Sequence, residues 1–487
     1  DLWNNTIEDS DDSFSDIYLK ESSEAIFSIN NEFDTIYVDS DSSLIIREYF
    51  VLDVNDASGN NMSGIDIKIM ENTTQKYATS YFGGSDSKTD SYGTITTFLI
   101  NHKIYDGTST PTTIPTYVTA RSYDWVETFT SNPSSTIQIT VPDLRVQNSR
   151  TGTLTYHIQT AIDNANEGDT IRAWNGTYYE NIEVTEELTI IGNGTSTIIN
   201  GGNGIAFEVT EDSVTIQNLK IISSEKGIYV TAIEDTIVTS VKFTTSEYAL
   251  YSEDAQNLVV NNSIFDVDDY GVYLSESSGV QIKDNEFRNG TQTGDYCIYQ
   301  VESSSNGGAN IENNKFNDCN VAWRSGSSSN TFRDNTLKDN EYGVLLSGTE
   351  ANNNLLHDNS FDDSGIAIYI YNTAYDNNLY NNFIDDSDDY DIKLSDSYDT
   401  VSYNNTFSDI FVASDANMWI KVYIDVDVTD NSSNALSNVD LEIKQDNLVV
   451  YSTVYFGGSD SRTNTTGQIS EFLVATSQYN GSSTPTS

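Results

Sequence analysis

The chain is poor in several residue types at once. Among 487 residues there are 23 lysines and arginines against 74 acids, a formal charge of −51. So few cations exclude the phosphate contacts that nucleic-acid binding requires, and the charge repels anionic membrane surfaces. It suits cations, high solubility or a salty medium, through a solvated acidic surface, dedicated cation sites, or both. Two cysteines are too few for a structural zinc site. His102, His157 and His357 are the only histidines; they fall in different elements and read as surface or helix-end side chains. No run approaches eighteen apolar residues, so no membrane span is expected in this chain. Helix signals are nearly absent. Five prolines, 31 tyrosines and abundant Gly, Asn, Asp and Ser suit an all-β, turn-rich protein. The chain opens at Asp1 without a methionine or a signal-like run, which leads one to expect a mature product or a window of something longer.

What is present is repetition. Between Ile205 and Phe407 the copies GIYVTAIEDTIVTSVKF, YALYSEDAQNLVVNNSIF and YGVYLSESSGVQIKDNEF follow one another. They close on Ile221, Phe243, Phe265, Phe287, Phe316, Leu337, Phe361, Ile384 and Phe407, at steps of 22, 22, 22, 29, 21, 24, 23 and 23. Each copy holds two short runs of period-two alternation separated by turn residues. A unit this short cannot bury its own apolar face and must stack on its neighbours. With strands in every unit, the stack is a parallel β-helix. Asparagines two residues before the closing position (Asn285, Asn314, Asn335, Asn359, Asn382 and Asn405) can hydrogen-bond from coil to coil and tolerate left-handed turns. Ser263 interrupts the row.

A longer repeat encloses the shorter one. Sliding the chain by 374 residues lays residues 27–113 on 401–487 without a gap: Phe33 on Phe407, Tyr49 on Tyr423, SYFGGSDSKT on VYFGGSDSRT, YDGTSTPT on YNGSSTPT. The organisation expected is the last coils of a preceding β-helix at 1–43 and a β-sandwich module at 44–143. A β-helix at 144–422 would follow, with a capping helix near 155–166. Residues 423–487 would start a second, incomplete sandwich that repeats 49–113. Strands such as EYFVLDV, GIDIKIM and STIQITV, parted by turns, carry the sandwich pattern. The helix is read from Ile158, Ala161, Ile162 and Ala165, at helical spacing before Gly168.

DVNDASGNNMSGIDIKI and SKTDSYGTITTF resemble the carboxypeptidase-regulatory-like and immunoglobulin-like spacers of surface proteins. HIQTAIDNANEGDTIRAWNGTYYENIEV, LTIIGNG and coils ending NNSIF, DNEF, NNKF and NNTF resemble the right-handed β-helix surface proteins of archaea and some bacteria. Those belong to the pectin-lyase-like superfamily with NosD-type repeats. The resemblance implies a right-handed parallel β-helix flanked by sandwich modules. It leaves activity open, because the fold hosts lyases, hydrolases, adhesins and scaffolds.

Candidate sites follow from chemistry. Calcium takes six to eight oxygens, mostly carboxylate and carbonyl. DVDD and DDSDDYD set Asp266, Asp268, Asp269, Asp385, Asp386 and Asp388 in coil turns, and the FGGSDS motif sets Asp86 and, one long repeat on, Asp460. Cys297 and Cys319 lie one coil apart, within disulfide reach or as two buried thiols. Asn-x-Ser/Thr acceptors fall at Asn4, Asn61, Asn72, Asn175, Asn193, Asn261, Asn289, Asn404, Asn431, Asn464 and Asn480, about the number composition alone supplies. Basic residues on the coils, among them Lys226, Lys242, Lys283, Arg288, Lys315, Arg324, Arg333, Lys338 and Lys393, fall in no recognised lyase or polygalacturonase motif.

The function expected is therefore structural rather than enzymatic: an extracellular surface filament, sheath, S-layer or adhesin stalk whose partners are copies of itself, with calcium as the one cofactor considered. The alternatives are a glycan-binding adhesin using tyrosines on the coil faces, and a polysaccharide lyase or hydrolase. Stacked aromatics with one basic residue over an acidic cluster would favour the enzyme.

Overall fold

The computed structural model describes residues 2–3, 15–21, 26–29, 33, 35–122, 125–131, 136–142, 145–223, 225–244, 247–445 and 447–486. They form two compact units, residues 1–146 with 154–160, and residues 147–153 with 161–487.

In the first unit, Ile17–Leu19 and Ile36–Val38 pair in parallel, Ile17 on Ile36. Strand Ser43–Asp56 then anchors a two-sheet module. It runs antiparallel to Phe98–Asp106, Tyr49 on Leu99, and parallel to Thr136–Val141. The second sheet is ordered Trp125–Ser131, Thr116–Ser122, Asp66–Glu71, Thr74–Ala78. Period-two alternation turns Phe50, Leu52 and Val54 inward from one sheet and Ile67, Ile69, Val118 and Ala120 from the other, into a single core.

The second unit is the solenoid the coil spacing demands. Its strands lie in a 23-stranded sheet and an 11-stranded sheet, paired in parallel from coil to coil. Phe243 sits on Phe265, Phe265 on Phe287 and Phe287 on Phe316. Their rings stack with centroids 4.7, 4.6 and 5.0 Å apart, each fully buried. Helix Ile158–Asp163 lies within the expected 155–166 and buries Ile158, Ala161 and Ile162.

Buried amides join the coils. The side-chain oxygen of Asn335 accepts from the backbone N–H of Asn314 at 2.8 Å, and its amide donates to the Ile311 carbonyl at 2.9 Å. Asn285, Asn314, Asn359 and Asn382 do the same in their coils. A second row, Asn330, Asn354 and Asn377, occupies another turn. The left-handed backbone falls one residue before the first row, at Asp284, Asn313, Asp334, Asp358 and Asn381. Short polar side chains tolerate that conformation. The row asparagines are thus there for their amides, not for left-handed tolerance.

Cys297 and Cys319 form a disulfide, Cα to Cα 6.3 Å. In the strand register Cys297 stands beside Tyr296, which faces Val321; Cys319 reaches back from the preceding turn.

In the second copy of the module, Ala416–Ile424 pairs antiparallel with Phe472–Asn480, Tyr423 on Leu473. That is the first module's register, shifted by the long repeat.

Candidate functional site: a tyrosine face with a guanidinium at its end

In strands Lys226–Thr231, Tyr248–Glu253, Tyr270–Ser275 and Tyr296–Gln300 of the 11-stranded sheet, the first and fourth residues turn outward with two buried residues between them. Because the coils keep register, like residues form rows. In one row Tyr229, Tyr251, Tyr273, Tyr299 and Arg324 are successive partners. In the other the partners are Lys226, Tyr248, Tyr270 and Tyr296. Within a row rings stack: Tyr251 to Tyr273 at 4.7 Å, Tyr273 to Tyr299 at 5.2 Å, Tyr248 to Tyr270 at 4.9 Å. Between rows they meet edge to face, Tyr296 to Tyr299 at 4.8 Å. Ring faces are spent on one another, so the half-buried block offers water mainly ring edges and hydroxyls.

A cation stands at each end. Lys226 Nζ lies over the Tyr229 and Tyr251 rings at 5.1 and 5.4 Å, and also touches Glu225 at 3.2 Å. The Arg324 guanidinium lies 4.7 Å from the Tyr299 centroid, and its Nη1 is buried without a hydrogen-bond partner. Among the described residues no carboxylate pairs with Arg324. Several other cations on the coils are paired: Arg288 and Lys242 on Asp266 at 2.5 and 3.4 Å, Lys283 and Arg333 on Glu312 at 3.7 and 2.7 Å, Lys338 on Asp362 at 2.6 Å. Lys393, further along the Arg324 row, lies over the Tyr369 ring at 4.7 Å.

The phenols are held protonated. Burial pushes Tyr248 up to about 12, and raises Tyr251, Tyr270, Tyr273 and Tyr296. The Arg324 charge opposes the rise at Tyr273 and Tyr296. Beside the second row, burial raises the Asp295 carboxyl, helped by the charges of Asp269 and Asp268. A cleft of about 460 Å³ lined by Thr291, Thr293, Asp318, Asn320, Glu341 and Tyr342 reaches the same row, where Tyr342 follows Val321. Proton donors and an unpaired guanidinium thus share one face, while the raised Asp295 carboxyl lies buried, accepting from the Gln292 N–H at 2.7 Å. They can bind a chain of hydroxyls, hold an anion and pass a proton.

Of the eight aspartates chosen from sequence, Asp266, Asp86 and Asp460 have partners within the fold. Asp266 is taken by Arg288 and Lys242. Asp86 accepts from the Ala78 N–H at 2.7 Å, and Asp460 from Ser452 at 2.6 Å, closing local turns. Asp268, Asp269, Asp385, Asp386 and Asp388 are exposed. Among the described residues no three His, Cys, Asp or Glu side chains gather at metal-holding distance. Of the glycosylation acceptors, Asn4 lies outside the described residues. Asn261 is half-buried, and the others are exposed, with Asn193 donating to Asn175 at 2.7 Å. His102 and His357 contact Glu48 and Asp358, each at 2.6 Å. Among the described residues no helix is long and apolar enough to cross a membrane.

Residues 181–322 and 296–442 match the right handed beta helix region family, more than half of the chain. The chain belongs to that family. No curated protein matches it. Among solved structures it is similar to the A-module of the Azotobacter vinelandii mannuronan C-5 epimerase AlgE6, at 15% identity and a TM-score of 0.41, over 53% of this chain and 83% of the other. It is similar to an alginate lyase from a Paenibacillus species, at 16% and 0.36, over 53% and 95%. The catalytic domain of a GH87 α-1,3-glucanase gives 13% and 0.47, over 74% and 82%. At such identities the likeness is one of fold. The expectation that the chain is no enzyme is not kept: it rested only on the absence of a recognised motif. A motif is a stretch of sequence, whereas a β-helix site is assembled across coils.

Proposed function

We propose that the chain is a carbohydrate-active β-helix that takes an extended acidic polysaccharide along its tyrosine rows, with a sugar carboxylate on Arg324. The observation that carries this is the Arg324 guanidinium, fixed on Tyr299 with no carboxylate beside it among the described residues. Its Nη1 is buried, so a ligand carboxylate meets the other N–H groups of the half-buried side chain, in a charge-assisted pair. The net charge of −51 opposes a polyanion. Repulsion between exposed charges is largely screened beyond about 8 Å at physiological salt, whereas a half-buried contact pair at about 4 Å is worth up to about 4 kcal/mol before desolvation. The local term prevails except at low salt.

The guanidinium would neutralise the carboxylate and make the adjacent C–H more acidic. Glu341, on the adjoining cleft, would take that C–H proton as base; its electron pair would form the C=C bond as the glycosidic C–O bond breaks, and a protonated phenol of Tyr273 or Tyr296 would give a proton to the departing oxygen. The reaction class this suits is cleavage of a glycosidic bond. The test is incubation with polyuronates and neutral glucans, following reducing ends and the ultraviolet absorbance of an unsaturated uronate. Products from a polyuronate that disappear with Arg324→Ala support the reading; cleavage of neutral glucan alone, or unchanged activity in that variant, contradicts it.

An extracellular setting is part of the proposal. The acidic surface and the disulfide suit an oxidising, exposed compartment. The ungapped 374-residue repeat favours several such faces displayed along one surface filament or stalk.

A further inference from the structure

A tyrosine with a cation over its ring occurs twice in one row. Through the register of the 11-stranded sheet, Tyr299, Arg324, Leu345, Tyr369 and Lys393 are successive partners. Arg324 lies over Tyr299, and Lys393 lies over Tyr369, each 4.7 Å from the ring centre. In both cases the ring belongs to the preceding coil. The Lys393 ammonium also stands 5.9 Å from the Tyr390 ring, and among the described residues no carboxylate pairs with it. Both cations are half-buried. In a chain with 74 acids against 23 bases, a cation left to a ring rather than a carboxylate is open to an anion from outside.

Because both side chains reach back by one coil, their charges keep the spacing of their strands. From Arg324 to Lys393 is three coil steps, about 14 Å at about 4.8 Å per step. Leu345, between them, is 8% exposed. Tyr369 has its hydroxyl on Ser395 Oγ at 3.0 Å and its ring stacked on Tyr371 at 4.5 Å. Neither residue carries charge. A lysine stem already packed on a fixed ring loses less freedom when it meets a ligand.

We propose that Lys393 is a second anion subsite for the ligand that Arg324 holds. An extended polyuronate with one carboxylate on Arg324 lays another, a few sugars along, on Lys393. This rests on the reading of Arg324 as a carboxylate site. Its consequence is a length threshold. A short oligouronate reaches one cation only, whereas one long enough to span three coils reaches both, and the second contact is then intramolecular. An ammonium is a point charge with no fork geometry to satisfy, so Lys393→Arg keeps the subsite.

The test is calorimetric titration of the full chain with oligouronates of increasing length, from the dimer upward. Affinity is expected to step up by about three- to tenfold once the oligomer spans both cations. Lys393→Ala removes that step and leaves the short oligomers bound as before, and Lys393→Arg restores it. Arg324→Ala weakens oligomers of every length. An undiminished step in Lys393→Ala, or no step in the intact chain, overturns this inference, and the Arg324 reading stands if Arg324→Ala still weakens binding. A step lost in Lys393→Ala with full affinity in Arg324→Ala supports the Lys393 subsite and contradicts the Arg324 reading. No binding at any length overturns both.

Discussion

Arg324 holds on its coil the place that Tyr299 holds on the one before, and its guanidinium lies 4.7 Å from the centre of the Tyr299 ring. A row of phenols therefore ends in a positive charge. The stack beneath that face, and the face itself, can each be tested.

Asn335 is the plainest test of the stack. It is 1% exposed, accepts from Asn314, and donates to the Ile311 carbonyl and to Asn359. Asn335→Ala strands a buried N–H and a buried carbonyl, at about 1–3 kcal/mol each. Urea unfolding is expected to lose about 2–4 kcal/mol, and hydrogen exchange to quicken in the coils around 311–359. An exposed control, Asn431→Ala, is expected to change stability by less than about 0.5 kcal/mol.

Phe287 stacks between Phe265 and Phe316 with no exposed surface. Phe287→Ala is expected to cost about 3–5 kcal/mol through lost burial and the cavity left behind. Phe287→Leu should cost clearly less. Because each coil touches mainly its neighbours, circular dichroism should show most of the solenoid intact while exchange quickens locally near 265–316.

The tyrosine block sets a limit at high pH. Tyr248 is raised to about 12 by burial, against about 10 in an unfolded chain. A group whose folded value is raised contributes stability that is full below about pH 10 and is lost as pH climbs through the folded value. Thermal unfolding should therefore move to lower temperature between about pH 10 and 12. The phenolate absorbance of the native protein should rise later in pH than that of the urea-unfolded chain. Tyr248→Phe is expected to remove part of that lag.

The coils were legible because their pattern is local. Ile221 to Ile384 recur at nearly fixed steps, and the structure stacks them as spaced. The Asn285 to Asn405 row was legible for the same reason. The second row, Asn330, Asn354 and Asn377, was not singled out: its steps of 24 and 23 are as regular, but it stands away from the closing apolar position that marks each coil. Arg324 was passed over as one basic residue among nine. Its step of 25 from Tyr299 hides a register that only coil-to-coil pairing reveals. Asp266 was read as a metal ligand because acidic turns look alike in sequence; cross-coil pairing gives it to Arg288 and Lys242. The non-enzymatic expectation rested on a search for motifs, and residues brought together from separate coils leave no contiguous motif.

The most direct test of the central claim is calorimetric titration of the intact protein and of Arg324→Ala with a uronate oligosaccharide and its carboxyl-reduced counterpart, at physiological salt. Loss of a charge-assisted pair of about 1.5–3 kcal/mol predicts that the variant binds the uronate about 10- to 150-fold more weakly, with its fold unchanged by circular dichroism. The carboxyl-reduced sugar should bind both proteins equally and weakly. Equal uronate affinity in the two proteins, or no saturable binding to the intact chain, would contradict the account.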